Sequence, residues 1–300
     1  MKEIKRYNPK VSVIINSHNG KKFINNSINS VLKQSYKNFE IIFYDNKSDD
    51  NSYKEIKKFK SNKIKYFYSK KFLKLYHARD LAVKKAKGDL IAFLDVDDWW
   101  DVRKLEIQVK SFKDEAVTFS FTNYLIYDDE KKRIKPAFSN LPSGFITNEL
   151  LKKNFIGMCT LIIRKKEYFK LKKGFDHTYE IIGDYDLCLR LSEKGFAKSI
   201  NKNLSFYRWH RNNLSNTKRE LNFLELIKWL KINKKFKKYS NFKFLENFSY
   251  FQLGFSYILG QKKILAIKLF SNLKIYFKLK LLILILLPTK LTKIIRNFNF

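Results

Sequence analysis

Cysteine, acidic residues and long apolar runs are all scarce in this 300-residue sequence. The two cysteines, Cys159 and Cys188, form neither a CxxC pair nor a disulfide framework, which is typical of a protein of the reducing cytosol. Each is interpreted as a small buried apolar side chain rather than a nucleophile or a metal ligand. The longest uninterrupted apolar run, residues 281–287, is about a third of the ~20 residues that a membrane-spanning helix requires.

A secretory signal is also absent from the pattern of the first residues. Met1–Lys10 is charged, and the apolar run Val11–Ile15 after it is too short for the hydrophobic part of a signal peptide. We therefore expect a cytoplasmic protein, either free or held peripherally on the inner face of the cytoplasmic membrane.

Acidic side chains number 28 against 62 lysines and arginines, so the formal net charge is +34. Such an excess favours anionic partners: nucleic acid, an anionic membrane surface or phosphorylated substrates. AT-rich codon usage is an alternative explanation for much of the lysine, because lysine, asparagine, isoleucine, phenylalanine and tyrosine are abundant together. Apolar residues make up 45% of the chain and aromatics 16%, which predicts a folded globular protein.

Short apolar runs and helical patterns alternate in the first half of the chain. Ser52 and Glu55 have the spacing of a capping box, which predicts a helix start at Ser52. Strands separated by helices of 10–15 residues are typical of right-handed βαβ units in a parallel, doubly wound sheet. The predicted strands cover 11–15, 40–44, 64–68 and 90–94, and the other predicted helices cover 22–32 and 76–86.

Polar residues follow three of these predicted strands, at the point where each strand ends. They are the segments 16–19 (Asn-Ser-His-Asn), 45–46 (Asp-Asn) and 95–98 (Asp-Val-Asp-Asp). Ligands bind at the carboxyl ends of the strands in doubly wound sheets. The sequence therefore predicts one binding site formed by these three segments.

The second half of the chain predicts mixed α+β structure and then helices alone. Strands are expected over 117–127 and 158–163, and a helix over 185–193. Beyond about residue 217 the strand pattern disappears, and helical hairpins are expected with turns at Gly254 and Gly260. We therefore predict an α/β domain over 1–216 and a basic, amphipathic helical appendage over 217–300.

Two interpretations of this appendage remain open. Lysines alternate with leucine, isoleucine and phenylalanine over 264–280, so the helices could pack on the first domain with their lysines in water. The same pattern suits a surface that docks on anionic lipid. The apolar run 281–287 would then either insert shallowly in the membrane or form a buried helix end.

Asp95, Asp97 and Asp98 place three carboxylates within four residues, directly after a predicted buried strand. Their mutual repulsion requires compensation by cations or by hydrogen bonds. A hard divalent cation with oxygen ligands would provide it, and diphosphate oxygens would complete the coordination shell. The alternative is that these acids only cap a helix entered over 99–105.

The ordered motifs resemble those of family 2 glycosyltransferases of the GT-A fold. The resemblance covers roughly residues 10–216 and rests on several segments in register. They are 11–19 (VSVIINSHN), 44–50 (YDNKSDD), 77–80 (HARD), 86–100 (AKGDLIAFLDVDDWW), 173–176 (KGFD), 183–191 (GDYDLCLRL), 207–210 (YRWH) and 214–215 (LS). The sequence departs from the family pattern at Asn16, His18, Asn46, Lys47, Asp80 and Gly183.

The resemblance implies an α/β fold of the GT-A type, a doubly wound mixed sheet with a C-terminal helical appendage. It also implies a nucleotide-diphosphate sugar donor, a UDP-sugar in particular, and an acceptor that is a glycan or a lipid-linked molecule. The implied reaction is transfer with inversion in the synthesis of a bacterial surface polysaccharide. The side chains implied to contact the donor are Ser17, His18, Asp45, Arg79, Asp95 and Asp98.

Metal and base residues are implied in the same way. Asp95 and Asp97 correspond to the DxD pair that holds Mg²⁺ or Mn²⁺, and His210 would reach back to that metal. Asp184 occupies the position of the general base that accepts the proton of the acceptor hydroxyl. The alternatives are an N-cap role for Asp184 on a helix beginning at Tyr185 and a polar loop role for His210.

Other functions fit the sequence less well. A nucleotidyltransferase usually has a glycine-rich loop after its first strand, whereas here Gly20 stands alone. A nucleic-acid-binding protein would concentrate its charge on one recognition element, whereas here lysine is dispersed and the strand ends are acidic; no nucleic-acid partner is expected. Intact Asp95, Asp97 and Asp184 argue against an inactive scaffold.

Overall fold

The computed structural model describes residues 7–288 and 291–292. The chain divides into two compact units. The first unit contains the residues up to 147 together with 154–210, and the second contains 148–153 together with the chain from 211 onward. The domain boundary predicted after residue 216 stays a prediction.

Four strands and three helices alternate at the start of the first unit, as the apolar pattern predicts. They are β1 (Val11–Ser17), α1 (Lys21–Leu32), β2 (Phe39–Asp45), α2 (Ser52–Lys57), β3 (Ile64–Tyr68), α3 (Leu75–Val83) and β4 (Leu90–Asp95). β1, β2, β3 and β4 are parallel.

The rest of the first unit makes the sheet mixed. Its elements are β5 (Trp99–Trp100), α4 (Lys104–Val109), β6 (Val117–Asp128), β7 (Arg133–Pro136), β8 (Ile162–Arg164), α6 (Lys165–Lys170), α7 (Gly183–Ser192) and β9 (Phe196–Trp209), while α5 (Thr147–Lys152) begins at its boundary with the second unit. The strand order is β3-β2-β1-β4-β8-β6-β9-β5, with β7 beside β6. β8 is antiparallel to both β4 and β6. The predicted α/β doubly wound mixed sheet is confirmed.

The two faces of β1 are buried in different ways. Val11, Val13 and Ile15 belong to an apolar core that includes Ile24 and Ile28 of α1. The intervening side chains point to the opposite face of the sheet, because successive residues of a strand alternate. Ser12, Ile14 and Asn16 therefore lie on the face that α3 covers. This alternation places Asn16, rather than Ile15, beside the residues of α3.

Three sequence-based details are wrong. The helix begins at Ser52 as expected, but no capping box forms, because the Ser52 hydroxyl donates to Asp50 and Asn51 precedes the helix with φ 66°. Residues 158–163 form a 3₁₀ turn followed by a short strand instead of one strand. Gly254 lies inside a helix, where a Cβ atom would come within 2.7 Å of Leu281, so the glycine permits close helix packing.

Lys104 is a cation in the core of the first unit. Its side chain is fully buried, its ammonium group donates to Gln108 Oε1 and to the Thr160 carbonyl, and it lies 4.7 Å from the Trp100 ring centroid. Burial lowers the pKa of Lys104 from 10.5 to about 7. Between these two pH values the unfolded chain holds this proton and the folded protein does not, so this lysine makes the free energy of unfolding increase with pH.

We expect Lys104→Met to remove that pH dependence. The variant should be more stable than the wild type by a few kcal/mol near pH 7, because its folded state no longer has to bury a basic group whose charge water stabilises. The difference should shrink as the pH rises and should vanish only above 10.5, where the lysine is largely neutral in both states. Denaturant unfolding of both proteins at several pH values measures it, and a difference that is constant with pH would contradict the buried charge.

The second unit is helical in its described residues. Besides most of α5, its α-helices are α8 (Leu214–Thr217), α9 (Arg219–Ile232), α10 (Phe242–Leu259), α11 (Lys263–Lys268) and α12 (Ile275–Leu286). α10 and α12 share an apolar core that includes Phe251, Phe255, Leu281 and Leu284. Within residues 7–288 and 291–292, no helix combines the length and the apolar character needed to cross a bilayer.

Candidate functional site

Three strand ends meet at one edge of the sheet. β1 lies between β2 and β4, and their register pairs Ser17 with Asp45 and Asn16 with Asp95. This register places the segments that follow β1, β2 and β4 side by side. The predicted meeting of polar strand ends is therefore present in the structure.

Arg79 is the buried cation of this edge. It lies on α3 with a side chain only 4% exposed, and its guanidinium donates to the Asp95 carboxylate. The Tyr76 and Phe175 rings lie 5.5 and 5.9 Å from the guanidinium carbon and shield it from water. Asp184 is near enough for its charge to raise the pKa of Arg79 as Asp95 does, although burial opposes both effects. One guanidinium thus faces two of the predicted site carboxylates.

Asp97 contacts His210, which lies more than a hundred residues further along the chain. The distance from Asp97 Oδ2 to His210 Nε2 is 3.1 Å, and the His210 ring stacks on Phe23 at 5.5 Å between centroids. Arg208 donates from Nε to the Asp97 carbonyl. The end of β9 therefore brings an imidazole to the acidic loop, and the implied metal contact of His210 stays a prediction.

Asp98 points into the protein. It is 1% exposed, and its Oδ1 accepts a hydrogen bond of 2.9 Å from the Arg208 backbone N–H. Burial, Asp97 and Asp95 raise the pKa of Asp98 well above its usual value. Its predicted donor contact stays a prediction. The capping alternative for the three acids is wrong, because Trp99–Trp100 is a strand and the next helix begins at Lys104.

Asp184 lies in the first turn of α7, whose N-cap is Ile182. The helix thus begins before the predicted Tyr185, and Asp184 is not the N-cap, although its Oδ1 accepts a hydrogen bond of 2.7 Å from the Tyr185 N–H. Burial raises the pKa of Asp184, while the charge of Arg79 lowers it. Gly183 packs against the Tyr76 ring, where a Cβ atom would come within 2.4 Å. This close packing places the start of α7 beside α3.

Asp45 and His18 lie on the β2 side of the edge. Asp45 is buried, and its two oxygens accept hydrogen bonds from the Ser48 N–H and the Tyr66 hydroxyl. His18 is exposed, contacts the Asn46 carbonyl through Nδ1 at 2.9 Å, and lies 4.6 Å from the Phe72 ring. These exposed rings can offer an apolar platform to a planar ligand.

Two polar side chains at the end of β1 lack partners. Within the described part of the chain, neither the carboxamide atoms of Asn16 nor the hydroxyl of Ser17 makes a hydrogen bond, although these atoms are buried. Buried polar groups are rarely left unpaired in folded proteins. The Ser17 hydroxyl lies directly beneath Gly20, where a Cβ atom would approach it to 2.5 Å. Unpaired groups at this edge support a bound polar ligand or ordered water there.

Phe72, Phe23 and Arg208 are candidate site residues that received no role from the sequence. Phe72 is 60% exposed beside His18, Phe23 stacks on His210, and Arg208 holds the acidic loop. Arg208 lies within the YRWH motif, so the sequence could have identified it as a candidate site residue. Phe23 and Phe72 carry no local signal, because only the fold brings them to the site.

The structure brings together only some of the predicted metal ligands. Among the described residues no group of three His, Cys, Asp or Glu side chains is placed to hold a metal ion. Asp97 and His210 are together, whereas the third predicted ligand, Asp95, is paired with Arg79. One or two protein ligands suffice for Mg²⁺ when substrate phosphates supply the rest of the shell. The residues therefore fit a metal that is held jointly with a diphosphate.

Comparison with known proteins identifies the family. The sequence model described as "Glycosyl transferase family 2" matches residues 12–171. The chain is 34% identical over 226 residues to the Escherichia coli UDP-Glc:alpha-D-GlcNAc-diphosphoundecaprenol beta-1,3-glucosyltransferase WfaP, which covers 75% of this chain and 85% of that protein. It is 29% identical over 215 residues to the putative teichuronic acid biosynthesis glycosyltransferase TuaG of Bacillus subtilis, over 71% of this chain and 84% of that protein.

Solved structures agree on the fold. S. aureus TarS 1–349 in complex with UDP-GlcNAc matches with a TM-score of 0.59 and 17% identity, over 88% of this chain and 84% of that one. TarS 1–349 in complex with UDP matches with a TM-score of 0.58 and 13% identity, over 92% of this chain and 86% of that one. The GT-A fold is therefore confirmed. The protein belongs to glycosyl transferase family 2.

Proposed function

We propose that this enzyme is an inverting, metal-dependent glycosyltransferase of bacterial cell-surface polysaccharide biosynthesis. It moves a sugar from a UDP-sugar to a hydroxyl of a glycan or a lipid-linked acceptor. The observation that carries the proposal is the arrangement of Asp95, Asp97, Asp184, Arg79 and His210 around one edge of the sheet. The activity for which WfaP is named, with UDP-Glc as donor and a diphosphoundecaprenol acceptor, supports this choice of substrates.

The donor is proposed to lie across the ends of β1, β2 and β4. The exposed rings of His18 and Phe72 contact the base, and the unpaired Ser17 hydroxyl and Asp45 lie on the ribose side. Asp97 and His210 hold Mg²⁺ or Mn²⁺, and Asp95 joins them or stays with Arg79. The bound metal neutralises the negative charge that develops on the leaving diphosphate.

Asp184 is proposed to accept the proton of the attacking acceptor hydroxyl. Direct attack on the face opposite the diphosphate inverts the configuration at the sugar carbon, and no covalent enzyme intermediate is needed. Burial raises the pKa of Asp184 and thereby makes the carboxylate a better proton acceptor, while the charge of Arg79 opposes this rise. The buried guanidinium thus limits how far burial raises the pKa of this group.

The proposed function is tested by binding and hydrolysis of UDP-sugars. UDP-glucose and UDP-GlcNAc should raise the melting temperature with Mn²⁺ and much less with EDTA, and the enzyme should release UDP slowly from one of them. GDP-mannose with Mn²⁺ is the control donor. Absence of any shift with every nucleotide sugar, together with indifference to EDTA, would refute the proposal.

The second unit is proposed to dock on an anionic membrane. α11 and α12 expose apolar side chains that are 39–75% accessible, and lysines lie among them. The apolar set is Ile264, Leu265, Ile267, Ile275, Tyr276, Leu279, Leu282, Ile283 and Leu286. Apolar insertion combined with attraction of lysine to anionic headgroups is the usual basis of interfacial binding. A lipid-linked acceptor makes such docking useful.

Charge substitution on α12 should weaken this docking. The double variant Leu279→Glu with Ile283→Glu removes two exposed apolar side chains and adds negative charges that the anionic lipid repels. We therefore expect about a tenfold or greater loss of binding to anionic vesicles. Sedimentation with phosphatidylglycerol-containing vesicles measures it, and phosphatidylcholine vesicles are the lipid control. Leu224→Glu with Ile232→Glu, also exposed and on α9, is the matched variant. Equal losses in both double variants would contradict an α12 membrane surface.

A further inference from the structure

A cavity lies in the first unit, and the residues that line it are separate from those assigned to the candidate site. It has a volume of about 530 Å³ and is formed by α3, α6 and the loop 171–178. This volume is within the range of small-molecule sites. The cavity is therefore large enough to hold part of a substrate.

Apolar and charged surfaces both line this cavity. Tyr168, Phe169, Leu171 and Phe175 supply the apolar surface. The ammonium groups of Lys84, Lys172 and Lys173 and the His177 ring stand among the polar lining residues. Such a cavity suits a ligand that has both apolar and anionic parts.

The two acids of the cavity are already satisfied by neighbouring donors. Asp80 accepts from the Tyr168 hydroxyl at 2.7 Å, pairs with Lys84 at 3.0 Å and lies 3.4 Å from His177 Nε2. Asp176 accepts from the Thr178 N–H and hydroxyl, and it contacts Lys173 at 3.4 Å. An ammonium group has three donors and no acceptor. The hydrogen-bonding capacity left over in the cavity therefore belongs mainly to donors, which favours a ligand rich in anionic oxygens.

Phe175 separates this cavity from the buried cation of the candidate site. Its ring lines the cavity and also lies 5.9 Å from the Arg79 guanidinium carbon and 5.5 Å from the Tyr76 ring. Tyr76 in turn packs against Gly183, next to Asp184. The cavity is thus separated from the start of α7, where the proposed base lies, by the Phe175 and Tyr76 rings.

We propose that this cavity binds the diphosphate group of a lipid-linked acceptor, whose sugar hydroxyl is presented to Asp184. The proposal rests on the proposed function and names the acceptor class of that site. Lys172 and Lys173 contact the phosphate oxygens, and the aromatic side chains contact the first carbons of the lipid. Acceptors that carry a diphosphate are bound more tightly than the same sugars without one.

The test compares two double variants. The cavity variant carries Lys172→Gln and Lys173→Gln, and the control variant carries Lys198→Gln and Lys202→Gln. The second pair removes the same charge from exposed positions of β9 outside the cavity. The acceptors are an alkyl-linked GlcNAc diphosphate and the alkyl GlcNAc glycoside that lacks the diphosphate. We expect the cavity variant to raise KM about tenfold for the diphosphate acceptor alone, with UDP affinity and melting temperature unchanged. A wild-type KM in the cavity variant, or the same rise in the control variant, would overturn the proposal.

Titration with inorganic pyrophosphate in EDTA separates this proposal from the proposed function. If the wild type transfers sugar to neither acceptor, the proposed acceptor class is wrong, and the titration still decides whether the cavity binds a diphosphate. If the affinity for pyrophosphate falls about tenfold in the cavity variant and is retained in the control variant, the result supports diphosphate binding in the cavity. Absence of wild-type binding, or equal binding by all three proteins, overturns it.

Discussion

Asp184→Asn should lower the turnover number for sugar transfer about 10³-fold and leave the affinity for UDP unchanged. The amide keeps the shape of the carboxylate but cannot accept the proton of the acceptor hydroxyl. The variant should remain folded, because burial already disfavours the charge of Asp184 and Arg79 keeps Asp95 as its partner. Transfer is measured with a radiolabelled UDP-sugar, and binding by calorimetry.

Asp186→Asn is the matched control, two residues further along α7. Asp186 is buried and accepts two hydrogen bonds from Arg190 through Oδ2, at 2.9 and 2.6 Å. Loss of its charge should cost about 3 kcal/mol of stability because Arg190 loses its anionic partner and keeps only the carbonyls of Lys173 and Gly174. The folded fraction should keep most of its turnover. If Asp184→Asn behaved like Asp186→Asn, losing stability while retaining transfer, the assignment of Asp184 as the base would be wrong.

Asp97→Asn should weaken UDP binding about 100-fold in Mn²⁺ and leave the weak binding in EDTA unchanged. The substitution removes the carboxylate that contacts His210, the one close pair of candidate metal ligands among the described site residues. The affinity for Mn²⁺ and UDP together is measured by calorimetry at constant ionic strength. Because the net charge changes by one, the variant needs a control with the same charge change.

Asp101→Asn supplies that control, four residues further along the chain and directly after β5. Asp101 is partly exposed and accepts a hydrogen bond from the Arg103 N–H, so it belongs to the local turn. This variant should bind Mn²⁺ and UDP as the wild type does. Unchanged affinity in Asp97→Asn, or an equal loss in Asp101→Asn, would exclude a metal role for Asp97.

The sequence predicts the first half of the fold well because its signals are local. Each of β1 to β4 is a short segment made mainly of apolar residues, and each is followed by residues that end it, so the parallel strands and their polar ends could be placed without the structure. The acidic segment 95–98 was found for the same reason. Its close carboxylates are visible within four residues.

What could not be predicted depends on residues that are distant in the chain. Trp99–Trp100 forms a strand only because it pairs with Ser205 and Phe206 of β9, and two residues are too few to show a period. The resemblance implies that Arg79 contacts the donor, and the structure adds that its buried guanidinium pairs with Asp95 of β4 and feels the charge of Asp184 of α7. No local pattern shows which acid a buried arginine will meet.

Each acid of the edge has a protein partner of its own: Arg79 for Asp95, His210 for Asp97 and the Arg208 N–H for Asp98. These protein groups therefore compensate the repulsion among the three carboxylates in the absence of any ligand. Structural metal sites behave differently, since their ligands stay apart until the ion draws the chain together. For this enzyme, a chelator should stop catalysis while the melting temperature of the free protein stays the same. Loss of the proposed ion would inactivate the enzyme without unfolding it, and so without making it prone to aggregation or proteolysis.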